Sequence, residues 1–342
     1  MKVHAEIVDS DRESEDRVPA DRQEPGHIIG EHIKTWTPPA LEENIPHGDM
    51  PGDKVEINGE HIRKANTIFP VLLDKLYPII STDPQQRAVI AVCGGSGVGK
   101  SEIASVLSWY FSRMGIGSYI LSGDNYPYRI PEYNDAERLR IFRTSALRGM
   151  ISQGEYTPER FQIIHQMQTA GTDADLKHCK EYPWFVSYLT AGRNGLSSYL
   201  GTEKEIGFSE VEHIVESFHQ GAGRIWLKRM GRADTELWYD EVDFSRISIL
   251  LIEWTHGNSD YYKGVDIPVL LNSTPQETYA HRKARNRDTG TDSPFTTLVL
   301  EIEQELLRSQ AHKAQLILSK SGGLLNHEQY YELMRVNEEA AL

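Results

Sequence analysis

Cysteine is the scarcest residue in the chain, with Cys93 and Cys179 alone among 342 residues. So few cysteines at this length exclude a disulfide-built scaffold. Basic residues are also in short supply, 36 Lys+Arg against 50 Asp+Glu, which leaves a formal charge of −14. A surface of that sign disfavours nucleic acid and anionic membranes as partners. Long apolar runs are missing too. Stretches such as Ala88 to Cys93 and Ile249 to Ile252 fall far short of the ~20 residues that span a bilayer. The opening MKVHAEIVDS has no basic end followed by an apolar run, so no secretory signal is expected and the predicted location is the cytoplasm. None of the 13 histidines stands in an H-E-x-x-H or Cys/His spacing that would build a transition-metal site. Internal repeats are absent as well.

What is present suits a globular protein: 39% apolar and 25% charged residues, enough to build a substantial core. Residues 1–55 are rich in Asp, Glu, Arg, Pro and Gly, with little periodic hydrophobicity, and predict a mobile or surface-wrapping arm. From residue 56 onward the text becomes periodic. The Asn58-Gly59 pair in KVEINGEHI predicts a short hairpin. Ala65 to Ile80 follows as a helix, with Ile68, Leu72, Leu76 and Ile79 on one face.

Arg87 to Cys93 is a β-branched strand, followed by a glycine turn and a helix from Lys100 to Met114. Further strands are expected at Ser118 to Leu121, Ile247 to Glu253 and Ile267 to Leu271. Buried strands alternating with helices predict an α/β fold, a parallel sheet flanked by helices, and the glycine turn between the first strand and its helix makes it the P-loop NTPase type. Between the second and third of these strands lies a stretch too long for an ordinary crossover. It predicts an inserted, substrate-side subdomain over 150–242. That insert should end in a helix at Ser209 to Phe218 and a hairpin turning near Gly231 to Asp234. Phe295 to Leu318 predicts one long amphipathic helix, and the tail from His327 another.

The glycine turn, GGSGVGKS, fits G-x-x-x-x-G-K-[ST] in full between a strand and a helix. Gly94, Gly95, Ser96, Gly97, Val98 and Gly99 would curl backbone N–H groups around a β-phosphate. Lys100 would reach the β- and γ-oxygens, Ser101 would ligate Mg²⁺, and Glu102 opens the following helix. ATP and Mg²⁺ are the expected cofactors. A GTPase switch is not in evidence, because the D-x-x-G at Asp49 to Gly52 precedes the loop. The SGG at Ser321 to Gly323 follows every candidate metal strand, where a transporter ATPase would have it before one.

Three later features favour a kinase. Asp124 ends the second strand in LSGDNYPY, at the sheet edge where open α/β proteins hold ligands. Its carboxylate could take the proton of an attacking hydroxyl or support the metal. Glu253 ends an otherwise apolar strand, SILLIEW, in the position of a metal-supporting carboxylate. Arg282, Lys283, Arg285 and Arg287 cluster after the fourth strand and predict a cationic lid over 281–295. There Arg282 would contact nucleotide, while Arg285 and Arg287 would neutralise the transferred phosphoryl group.

With these motifs, the chain resembles the uridine kinase, phosphoribulokinase and pantothenate kinase group of P-loop kinases. The resemblance runs over about 86–124 and 224–307. It implies that Asp124-Asn125-Tyr126 is the catalytic-base stretch, that Glu253 is the metal-strand glutamate, and that Arg282, Arg285 and Arg287 form the lid. Trp254 stands where that group has glycine. Adenylylsulfate kinase, a nucleoside kinase and a non-catalytic ATP-dependent switch are the alternative readings.

For the acceptor, Tyr126, Tyr128 and Arg129 beside the base, with Arg229 on the hairpin, offer aromatic surface and positive charge in an acidic chain. This predicts a small metabolite with a hydroxyl and an anionic group. A homo-oligomer is compatible with the sequence.

Overall fold

The computed structural model describes residues 24–42, 45–274, 276–279 and 293–341. Arg282, Lys283, Arg285 and Arg287, the cations of the expected lid, lie outside the described residues. No described helix is long and apolar enough to cross a membrane.

The chain forms a mostly parallel sheet between helices. The first helix, α1 (Pro25–His32), packs Ile28 and Ile29 onto α2 (Gly59–Thr82). Strand β1 (Ala88–Gly94) leads through the glycine turn into α3 (Lys100–Arg113), and β2 (Ser118–Ser122) follows. After the insert come β5 (Ile249–Glu253) and β6 (Ile267–Leu271), then α9 (Pro294–Gln310), β7 (Leu316–Leu318), β8 (Leu324–Leu325) and α10 (His327–Ala341). The six strands lie in the order β2-β5-β1-β6-β7-β8, all parallel but for the last pair. Every residue of β1, β5 and β6 is buried, as expected of strands covered on both faces. Register sets Glu253 level with Val92 of β1 and Ser122 of β2, so the carboxyl ends of three strands converge at the glycine turn.

Between β2 and β5 run α4 (Pro131–Ser152), α5 (Pro158–Thr169), α6 (His178–Glu181), α7 (Phe185–Ser197) and α8 (Phe208–His219). The hairpin β3 (Arg224–Met230) and β4 (Leu237–Asp243) completes the insert. Arg87 ties the end of α8 and the hairpin base to the sheet by donating to the carbonyls of Phe218 (2.8 Å), Ala222 (3.0 Å) and Phe244 (2.8 Å).

Two expected elements are different in the structure. There is no hairpin at Asn58-Gly59. Asn58 is the N-cap of α2, its side chain accepting from the N–H of Glu60 (2.9 Å) and His61 (3.2 Å) while His61 Nδ1 accepts from the Asn58 N–H (3.3 Å). Asn-Gly serves turns and caps alike, and the helical face that follows decides between them. The expected helix of Phe295 to Leu318 stops at Gln310. Leu316-Ile317-Leu318 then joins the sheet beside β6, because a short apolar run buried on both sides suits a strand.

The segment before α2 packs on helices α2 and α3. Trp36 packs between Phe69 (4.9 Å between ring centroids) and Tyr110 (5.2 Å), and Leu41 and Ile45 continue along the same core.

Candidate active site

The loop from Gly94 to Ser101 takes the shape its glycines allow. Gly94, Gly97 and Gly99 have φ of 153°, 76° and 97°, a region that residues with a Cβ rarely enter. At Gly94 a Cβ would also sit 2.5 Å from the Leu271 carbonyl oxygen. Lys100 folds back to donate to the Gly95 carbonyl (3.1 Å), and α3 begins at that lysine. A helix N-terminus, its unpaired N–H groups and a lysine therefore surround one spot. Val98 and Glu102 are buried. Gly95 and Ser96 line a small cavity with Ser273, Thr274, Thr278, Leu300, Glu303 and Gln304.

Glu253 lies against this loop. The Ser101 hydroxyl donates to its Oε2 (3.0 Å) and the Ser122 hydroxyl to its Oε1 (2.7 Å). Burial first, and Asp124 second, push this carboxyl up to about 8, with Lys100 and the two hydroxyls opposing. Asp124 is exposed on the short turn Gly123–Asn125 that continues β2. It is thus an electrostatic neighbour of Glu253. The structure brings Lys100, Ser101, Asp124 and Glu253 together from three strand ends.

Trp254, in the place of glycine, is buried against that turn. A Cβ on Gly123 would overlap its indole ring. The bulk added after Glu253 is accommodated by the missing side chain before Asp124.

Two residues expected at the acceptor are elsewhere engaged. Tyr126 belongs to the core beside Leu121, Phe208 and Trp254, because the turn bends its ring inward. Arg229 is buried: its Nη1 meets Asp49 Oδ2 (2.9 Å), its Nε meets Asp240 (3.1 Å), and its Nη2 donates to the Tyr119 hydroxyl (2.9 Å). An arginine already matched by two carboxylates is no open anion receptor. Of the other two, Tyr128 is exposed, while Arg129 donates to the Tyr199 hydroxyl (2.9 Å) and lies 3.7 Å from Glu137.

Sequence reasoning missed further groups. Glu303 on α9 lies half-buried beside the loop. Burial raises its carboxyl, with Glu205 and Asp124 adding and Arg138 and Lys100 opposing. Arg138 meets Glu205 at 2.5 Å, and Asn134 donates to the same Glu205 oxygen (2.9 Å). The signal for Glu303 is its place next to Ile302, on a helix whose apolar face turns inward. Asp49, before α2, reaches the turn that carries Asp124. Its only mark in the sequence is the D-x-x-G pattern set aside above.

No protein-family model matches the chain. By sequence it is similar to the bifunctional alpha-galactosidase/sucrose kinase AgaSK of Mediterraneibacter gnavus, 39% identical over 253 residues. The match covers 74% of this chain and 22% of that protein, so the chain spans about a fifth of the relative's length. Among solved structures, a candidate fructose transport system kinase from Silicibacter sp. TM1040 is similar over 71% of this chain and 94% of its own, with 13% identity and a TM-score of 0.41. A candidate uridine kinase from Bacillus stearothermophilus is similar over 72% and 98%, with 13% identity and a TM-score of 0.33. The name of the sequence relative includes a kinase, the class that the loop and strand-end carboxylates resemble.

Proposed function

We propose that the chain is an ATP-dependent kinase that transfers the γ-phosphoryl group to a hydroxyl of a neutral sugar. The observation that carries this reading is Glu253, buried at the end of β5 and bonded at once to Ser101 of the phosphate loop and Ser122 beside Asp124. Such an all-oxygen set of one or two carboxylates and a hydroxyl suits Mg²⁺, which takes its remaining ligands from water and nucleotide phosphates. Ser101 and Glu253, with Asp124 near them, would hold that ion, and it would supply neutralisation of phosphate charge when bound.

The loop N–H groups cradle the phosphates and Lys100 reaches their oxygens. Asp124 accepts the proton of the attacking hydroxyl as it turns toward the γ-phosphoryl group. Arg282, Arg285 and Arg287 serve as cations over the transferred group.

The preference for a neutral acceptor follows from charge. Arg229, which motivated an anionic acceptor, is matched by Asp49 and Asp240. Asp124 has Glu253 and Glu303 as its electrostatic neighbours. Carboxyl groups offer an anionic acceptor no countercharge and make hydrogen bonds with sugar hydroxyls. Of the two activities in the relative's name, the sucrose kinase is the one a phosphate loop serves.

An assay of ADP release tests this, with sucrose and other neutral mono- and disaccharides set beside uridine, hydroxy acids, sugar phosphates and adenylylsulfate. A neutral sugar should stimulate turnover most. Stimulation by uridine or adenylylsulfate alone would move the acceptor to those classes, and ATP binding without turnover under every condition would leave an ATP-dependent switch.

A further inference from the structure

A carboxylate far from the loop in sequence is built into the turn beside it. Asp49 lies on the irregular segment between α1 and α2, outside the sheet, yet its side chain is only 8% exposed. Its Oδ1 accepts from the Ser122 backbone N–H (2.7 Å) and from Asn125 Nδ2 (3.1 Å). Its Oδ2 accepts from the Tyr119 hydroxyl (2.9 Å) and from Arg229 Nη1 (2.9 Å). Ser122 and Asn125 bracket Asp124 on either side. Asn125 Oδ1 in turn accepts the Met230 N–H of β3 (3.0 Å). Next to Asp49, a Cβ on Gly48 would stand 3.7 Å from Glu253 Oε1, so the strap passes directly along the metal-supporting carboxylate.

A buried ion pair of this kind is a poor way to add stability, because desolvating both charges offsets most of their attraction. Burial indeed raises the Asp49 carboxyl above its ordinary value despite Arg229 and three further donors. Its worth lies in direction. Four donors meet one rigid planar group, and two of them flank the residue placed at the reacting hydroxyl.

We propose that Asp49 is a positioning residue for phosphoryl transfer, clamping the Ser122–Asn125 turn so that Asp124 faces the phosphate loop from a fixed place. The N-terminal strap is thereby part of the active site. This rests on the kinase reading above, and deepens it by assigning a role to a segment outside the nucleotide fold.

The test compares wild type with Asp49→Asn and Tyr119→Phe, using the acceptor that gives the greatest turnover. It measures kcat, both KM values, the affinity for the Mg²⁺ complex of a non-hydrolysable ATP analogue, and thermal unfolding. Asp49→Asn keeps the shape but places an amide where a donor must be received. Its kcat should fall roughly 10- to 100-fold, as small misplacements of reacting groups do. KM values and analogue affinity should stay within about twofold, since the phosphate loop is untouched. Tyr119→Phe removes one donor to Asp49 and one acceptor from Arg229 while leaving their ion pair in place, and should lower kcat several-fold. If Asp49→Asn does not fold, Tyr119→Phe decides alone.

Wild-type kcat in whichever variant folds, measured well below its melting point, overturns the proposal and leaves the clamp a structural feature only. A loss seen in KM or analogue affinity rather than kcat overturns it too. Failure of wild type to turn over any acceptor would instead bring down the kinase reading, and the clamp's role with it.

Discussion

The phosphate loop and the turn bearing Asp124 sit side by side, yet they are held by opposite means. The loop is local: eight consecutive residues, shaped by glycine and by the start of α3, with Lys100 bonded to Gly95 five positions away. The turn is assembled from afar. Asp49 holds Ser122 from 73 positions earlier, Met230 holds Asn125 from 105 positions later, and Glu253 receives the Ser122 hydroxyl across 131. A locally encoded element can lose its chemistry without disturbing the fold. One made by tertiary contacts should lose both together.

Lys100→Ala should have the largest effect. Turnover should fall by about 10²- to 10³-fold or more, the cost of removing one pre-organised charge donor, with thermal unfolding unchanged. Near wild-type turnover would mean that the loop is not the phosphate site. Asp124→Asn comes next, at roughly 10²-fold in kcat, in the range of general-base contributions, with little change in ATP affinity. Lost ATP binding with retained turnover would reassign Asp124 to metal support.

Gly123→Ala tests the tertiary side. Its methyl group must displace the Trp254 ring, and overpacking of this kind costs about 1–3 kcal/mol. Melting temperature and turnover should drop together, and adding Trp254→Leu should restore part of both. If Gly123→Ala lowers turnover at unchanged stability, the contrast between loop and turn breaks.

The smallest effect is on pH dependence. Burial and Asp124 raise Glu253 from 4.5 to about 8. A carboxyl raised in the native state favours folding most below its unfolded value, and that contribution disappears as pH rises through the folded one. Without Mg²⁺, the melting temperature should therefore decline between pH 4.5 and 8 by roughly a few degrees. Glu253→Gln, which stays neutral, should flatten that slope. An unchanged slope would trace it to other groups.

The same division explains what the sequence makes legible. Strands β1, β5 and β6, the loop, Asp124 and Glu253 all declare themselves within a dozen residues, through β-branched runs and the chemistry that follows them. Arg229 reads as an open cation because nothing near it in sequence says that Asp49 and Asp240 cover it. Tyr126 reads as a wall of the site because the turn that buries it depends on Asn125 reaching Met230.

The contact between helices α4 and α7 is hidden for another reason. They meet through small residues: a Cβ on Gly149 would overlap Ala191, and one on Gly195 would overlap Ser145. Where Gly, Ala and Ser face each other the contact carries little hydrophobic signal, and Phe142 against Tyr188 and Gly192 supplies the apolar part of it. Glu303 is hidden by ordinary helix composition, and the lid cations lie outside the described residues.

The clamp also has a consequence in time. Arg229 lies 180 positions after Asp49, which at ordinary rates of synthesis is a delay of roughly 9–36 s. The phosphate loop is finished early in that interval. Until the hairpin emerges, Asp49 has no cation to meet and its carboxylate is best left in water. The nascent chain can therefore carry a complete nucleotide loop well before it can carry out transfer, and one step in maturing the site is the withdrawal of an early-made aspartate from solvent onto a later-made arginine.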